Sequence, residues 1–132
     1  MKGFQRFPWF MVLALGIASP VYAHHSAAGI DRSKTVALVG TVKQFGWQNP
    51  HSWMEIDVPN EAGVVTTWKV EMTSPAFLIR AGWKATTLKP GDKVTVKVNP
   101  LKGGEPGGLF QSVTLADGST LTERAGAPRP QP

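Results

Sequence analysis

From Val36 to Val98 the chain repeatedly places its apolar residues on every second position, and this periodicity limits what it can fold into. Val36, Leu38, Gly40 and Val42 alternate with more polar neighbours. Ser52, Met54, Ile56 and Val58 stand opposite His51, Trp53, Glu55 and Asp57. Val64, Thr66, Trp68 and Val70 share one face, with Val65, Thr67, Lys69 and Glu71 on the other, and Val94, Val96 and Val98 repeat the pattern. Successive side chains of a strand point to opposite faces, so each segment predicts a strand with one buried and one solvated side.

Turn-forming residues separate these segments. Pro59 to Gly63 makes a turn between the second and third strands. Ser74-Pro75 predicts a helix start, because the hydroxyl can cap free N–H groups and proline suits the first helical position. Phe77, Leu78 and Ala81 are expected to pack on the sheet, and Gly82 to stop the helix. Pro90-Gly91 turns the chain into the fourth strand. A glycine-rich loop (Gly103, Gly104, Gly107, Gly108) leads to a last strand from Leu109 to Leu115. Asp117-Gly118 then makes a tight turn, and Leu121 closes a short hairpin. Strand, strand, strand, helix, strand, strand is the element order of the OB-fold. The expected architecture is therefore all-β with one short helix, a small five-stranded OB-like barrel. A small open β-sandwich with the helix at one end is the alternative.

The segment before the first strand carries an address. Lys2 and Arg6 form a basic start, Phe7 to Ala18 is apolar except for Pro8 and Gly16, and Val21-Tyr22-Ala23 ends in small residues around a cut. This is the layout of a secretory signal peptide cleaved after Ala23, and the apolar run is shorter than the about 20 residues a membrane span needs. The expected organisation is a signal peptide over 1–23, an N-terminal arm over 24–34, the barrel over 35–123 and a disordered Pro-, Ala- and Gly-rich tail over 124–132. The processed protein is expected to be periplasmic or secreted, with no stable membrane insertion. The chain has no cysteine, so neither disulfides nor thiolate metal sites are available to it. Two of its +5 net charges, Lys2 and Arg6, leave with the leader. The remaining lysines are scattered, which argues against a nucleic-acid partner.

Several residue groups together resemble a family of small exported bacterial proteins of unknown function. They are His24-His25-Ser26, Asp31, Gly40-Thr41-Val42, Phe45-Gly46-Trp47-Gln48-Asn49-Pro50-His51, Trp68-Lys69-Val70-Glu71, Gly82-Trp83 and Pro90-Gly91-Asp92-Lys93-Val94. The resemblance covers essentially the whole mature domain. It implies export and a fold, and no particular chemistry.

Chemistry has to come from the residues themselves, and the histidines are the best placed. Cleavage after Ala23 would make His24 the first residue, with His25 beside it, while His51 lies between the first two strands. A terminal amine has a pKa near 7.7–8.0, so a metal can displace its proton at neutral pH. Amine and imidazole of His24 can close one chelate ring, and His51 would complete a three-nitrogen T-shaped set. Copper(II) favours such nitrogen-rich tetragonal sites. Zinc would need a fourth ligand from His25, Asp31 or water. The plainer reading makes His24 and His25 an accident of cleavage and His51 a loop cap.

Trp47 and Trp53 flank His51 and are candidates to stack on a ligand, such as an oligosaccharide or a partner protein of the envelope. The plainer reading has both rings complete the core against the arm. Trp68 is expected in the core, and Trp83 over one end of the barrel. Glu55, Asp57 and Glu71 can approach one another across strands, but Lys69 alternates with Glu71, so a cross-strand ion pair is the expectation. The glycines near Gly103 lack the strand-to-helix setting of a phosphate loop, and no serine has a nucleophile-elbow setting. No catalytic residue is assigned, and a non-catalytic binding or accessory protein is the favoured reading.

Overall fold

The computed structural model of the chain describes residues 29–124. The expected leader, His24, His25 and the tail beyond Arg124 lie outside them. In chain order the elements are β1 (Val36–Gly46), β2 (Trp53–Pro59), β3 (Val65–Glu71), α1 (Pro75–Arg80), β4 (Lys93–Pro100), β5 (Gly107–Thr114) and β6 (Thr120–Thr122).

Hydrogen bonding runs β3-β2-β1-β4-β5-β6, and β3 also pairs with β5. That last pairing is parallel, with Lys69, Val70 and Glu71 beside Gly107, Gly108 and Leu109. It closes the first five strands into a barrel and rules out the open sandwich. β6 is an extra edge strand on β5, with Leu121 opposite Val113. β1 serves both halves of the barrel: Val36 to Thr41 pairs with β4 and Thr41 to Gly46 with β2. A register shift between Val42 and Gln44 falls where β1 passes from one partner to the other. A bulge bends a strand and increases its twist, which lets one strand belong to two differently oriented walls.

The alternating positions fill the interior as the sequence dictates. Leu38, Val42, Met54, Ile56, Val70, Val94, Val96, Val98 and Val113 are all buried, joined by Met72, Leu78, Trp83, Leu88 and Phe110. Trp68 is half-buried against this core. Trp83 is deeper than a lid: it is 2% exposed, and its indole N–H donates to the Thr122 carbonyl at 2.8 Å. This bond ties β6 to the end of the barrel.

Three local expectations change. Phe77 does not pack on the sheet; it is 56% exposed, with the Arg80 guanidinium 5.5 Å from its ring centroid. In a helix of fewer than two turns only one position can face the core squarely, and Leu78 takes it. The Ser74 hydroxyl makes no cap bond; the Ser74 carbonyl instead accepts from the N–H groups of Phe77 and Leu78. The last barrel strand begins at Gly107, because Gly107 and Gly108 pair with β3 and Gly108 also with β4.

The end of the N-terminal arm is part of the fold. Ile30 is buried and bridges Leu101, Asp31 N–H donates to Pro100 O, and Lys102 N–H donates to Gly29 O. Buried Asn99 holds the segment from within, donating to the Lys34 carbonyl at 2.6 Å and accepting from Gln111 at 2.7 Å.

Candidate functional site

His51 owes its position to the β2–β3 ladder. Ser52 N–H donates to Thr73 O and Met72 N–H to Ser52 O, which extends the ladder beyond its last named pair, Trp53 and Glu71. The preceding Asn49-Pro50 peptide is cis. His51 immediately precedes Ser52 at the mouth of the ladder, and its Nδ1 meets the carboxylate of Glu71. The His51 side chain is 54% exposed. In the neutral ring, an Nδ1–H that donates to a carboxylate leaves the Nε2 lone pair free.

A second carboxylate stands behind this pair. Glu123, just past β6, accepts from the Thr73 N–H at 2.6 Å. Burial pushes its carboxyl above the ordinary range. The Thr73 bond and the charge of His51 pull it back, and Glu71 pushes it up further. His51, Glu71 and Glu123 thus form one electrostatic cluster at the junction of β2, β3 and β6. Sequence reading missed Glu123, because its partners lie far back in the chain and it ends an edge strand with no motif around it.

The expected cross-strand ion pair involving Lys69 is not formed among the described residues; Glu71 turns to His51. The Lys69 ammonium instead stands 5.4 Å from the centroid of the Trp53 ring. Trp53 is itself laid over Gly46, its register partner on β1, so closely that a Cβ at Gly46 would collide with the indole. Trp47 goes elsewhere. It packs on the core, with its ring edge-on to Phe45 at 5.8 Å, in a chain that continues through Trp83 to Phe110. The two tryptophans that flank His51 in sequence therefore form no joint platform. Trp53 belongs to the outer β2–β3 face and Trp47 to the barrel end.

The other acidic candidates lie apart from this cluster. Asp57 accepts from the Thr67 hydroxyl at 2.6 Å, and Glu55 stands opposite Lys69. Asp31 accepts from the Ser33 hydroxyl and N–H and pairs with Lys34 at 3.3 Å. The Ser33 bonds lead the causes that hold its carboxyl below the usual range. Among the described residues, no three His, Cys, Asp or Glu side chains form a group able to hold a metal ion. His51 brings one free donor, and any further nitrogen donors from His24 or His25 lie outside the described residues.

A shallow groove of about 350 Å³ lies elsewhere on the barrel, lined by Val39, Gly40, Pro59, Lys93, Val94 and Leu115 among others. Its one ammonium donates to the Thr41 hydroxyl at 2.6 Å. Among the described residues no helix is long and apolar enough to cross a membrane.

The model of a family of unknown function (DUF6152) matches residues 12–111. The chain belongs to this family. The match takes in His24, His25, His51 and Glu71 and ends inside β5, short of Glu123. Neither the curated proteins nor the solved structures gave a match.

Proposed function

We propose that this is a non-catalytic periplasmic accessory protein that binds copper through the amine and imidazole of a mature N-terminal His24 together with His51. The observation that supports it most directly is the His51–Glu71 pair. Metal-ligating histidines commonly give their second N–H to a carboxylate, which fixes the ring and strengthens the ligating nitrogen. His51 has the carboxylate contact on Nδ1, and its side chain is half exposed. The arm joins the described fold at Gly29. Gly29 is anchored beside Lys102, and that loop runs into Pro106, whose carbonyl accepts from Lys69 N–H. Lys69 in turn stands over Trp53, two residues from His51. The segment from His24 to Gly29 spans up to about 17 Å when extended.

The test is a copper titration of protein processed to begin at His24, with intact mass confirming the terminus. A tight 1:1 site is expected, lost in His51→Ala. An added N-terminal Met, which leaves every side chain in place but moves the amine, should remove most of the affinity. Binding that survives the added Met would exclude the amine as a ligand. Protons compete for the same lone pairs, so affinity should fall steeply from about pH 8 to about pH 5.

A second reading, an interaction module for an envelope protein or an oligosaccharide, draws support from Trp53 alone, an aromatic ring on a polar sheet face. Trp53→Ala should abolish that binding and leave copper affinity nearly unchanged.

A further inference from the structure

The strand order ends on β3 and β6, and the two ends are finished differently. β6 has three residues, and so short an edge offers a partner little to pair with. β3 has seven. Its second half, Lys69 to Glu71, pairs with β5, but among the described residues no strand pairs with Val65 to Trp68 on that side. Backbone direction along this half follows from two bonds. The Val64 carbonyl accepts from Asn60 across the β2–β3 turn, and Lys69 N–H donates away from β2, to the Pro106 carbonyl. Backbone groups alternate sides along a strand. Thr66 and Trp68 therefore bond toward β2, and the N–H and C=O groups of Val65 and Thr67 point out of the open edge. Natural edges are commonly guarded by a lysine, a proline or a bulge. From Val64 to Trp68 this one has no charge and no proline, and its pairing with β2 has no register shift. Val64 is 61% and Val65 57% exposed.

An open edge of this kind is completed by another extended strand, and β3 complements itself. In an antiparallel pair centred on Thr66, Val65 stands opposite Thr67 of the second copy, and Thr67 opposite the second copy's Val65. In both pairs the outward groups face each other, so each pair exchanges both backbone bonds. Thr66 meets its own copy on the two-fold axis, as an isologous contact requires. Charge fits the same arrangement. The edge runs from exposed Glu61 in the turn to exposed Lys69 beside β5, and antiparallel pairing brings the acidic end of one copy toward the basic end of the other. Glu71, beyond Lys69, is already held by His51. Pairing ends at Trp68, because the Lys69 N–H is taken by Pro106. We infer that the chain forms a reversible two-fold dimer by strand addition, Val65 to Trp68 of β3 pairing antiparallel with the same segment of a second copy about Thr66. The contact is short, so the dimer is weak and forms at high protein concentration.

The experiment is sedimentation velocity on the full processed chain, from low micromolar to near-millimolar concentration. The wild type should pass reversibly from monomer to dimer. Thr66 stands opposite itself, with Cβ atoms about 4.5–5.5 Å apart. Thr66→Lys and Thr66→Asp should each weaken dimerisation more than about tenfold through like-charge opposition, and an equimolar mixture of the two should restore it. Restoration also shows that both variants fold. Amide exchange of the wild type adds a readout at single residues. The N–H groups of Val65 and Thr67 should become protected as the dimer forms, while those of Thr66 and Trp68, bonded to β2, should change much less. A wild type that stays monomeric at every concentration overturns the inference. Val65 and Thr67 amides already protected in that monomer would mean that residues outside 29–124 cover the edge, and unprotected ones that it is empty or serves a strand of another protein. A dimer that both Thr66 variants leave intact, or whose formation does not protect Val65 and Thr67, lies elsewhere on the molecule and overturns the inference as well.

Discussion

Two surface regions share strand β1 and divide the usual ingredients of a binding site between them. Near Gly46, the ends of β2 and β3 gather His51, Glu71, Glu123, Trp53 and Lys69, and the functional groups already have partners there. Further back, around Gly40, the groove beside the β5–β6 turn offers space, but its walls are aliphatic apart from Thr41, Thr95, Thr114 and Lys93. Concavity alone would direct attention to the groove. Polar chemistry directs it to the His51 end. A ligand that is a single ion needs donors with free lone pairs more than it needs volume, so the His51 end is the better candidate for a metal.

The largest effect should come from His51→Ala. Copper affinity should fall more than about 100-fold, since a directly ligating nitrogen costs at least as much as its supporting shell. Thermal stability should hardly move, because the ring is half exposed. A variant that keeps full copper affinity would break the distinction between the two regions.

Gly40→Ala is the converse probe. Its Cβ would run into the Asp57 carbonyl and lie 2.9 Å from Ile56 Cγ2, and backbone cannot easily yield. A loss of about 1–3 kcal/mol is expected from such overpacking, read by urea unfolding. Copper binding at the far end of β1 should persist below the melting transition.

Ser52 sharpens the boundary between site and core. Its hydroxyl is buried without a hydrogen-bond partner, although its backbone carries the ladder next to His51. Ser52→Ala removes the unsatisfied group and should stabilise the fold by about 1 kcal/mol. A destabilised variant would mean that the hydroxyl serves the site.

Glu123 gives a pH signature. Its folded carboxyl keeps its proton above the ordinary value of 4.5, chiefly through burial. The folded state therefore binds more protons than the unfolded one in the window just above that value. Its contribution to stability is present at low pH and is lost as pH rises through the raised value. Glu123→Gln keeps an acceptor for Thr73 N–H without the charge. It should flatten the melting temperature between about pH 4 and pH 7 and be no less stable than wild type at the upper end. A clear drop at neutral pH would mean the ionised carboxylate is worth more than its burial costs.

The smallest effect belongs to the groove. Val39 is 67% exposed, and Val39→Ser should shift stability by no more than about 0.5 kcal/mol and leave copper binding untouched. Any larger effect on binding would move the functional site to this side of the molecule.

The sequence by itself determined the strands and their buried faces, while closure into a barrel was decided by the β3–β5 pairing. Period-two alternation decides which side chains face inward, and that pattern needs only the geometry of a strand. Thus Met54, Ile56, Val70, Val96 and Val98 were legible as core, and Gly82 and Gly118, both at positive φ, as stops and turns. The histidine was legible as a candidate, because a polar residue at a strand entrance stands out in a chain with few of them. Its partner was not. Glu71 could have paired with Lys69 or with His51, since both are within reach of the same strand position, and only the assembled ladder decided between them. Trp47 and Trp53 looked equivalent until β1 laid Gly46 beneath one and Phe45 beside the other. Glu123 carried no signal at all. Its role depends on β6 returning to the β3–α1 junction, and contacts between residues so far apart in the chain arise only when the whole barrel closes.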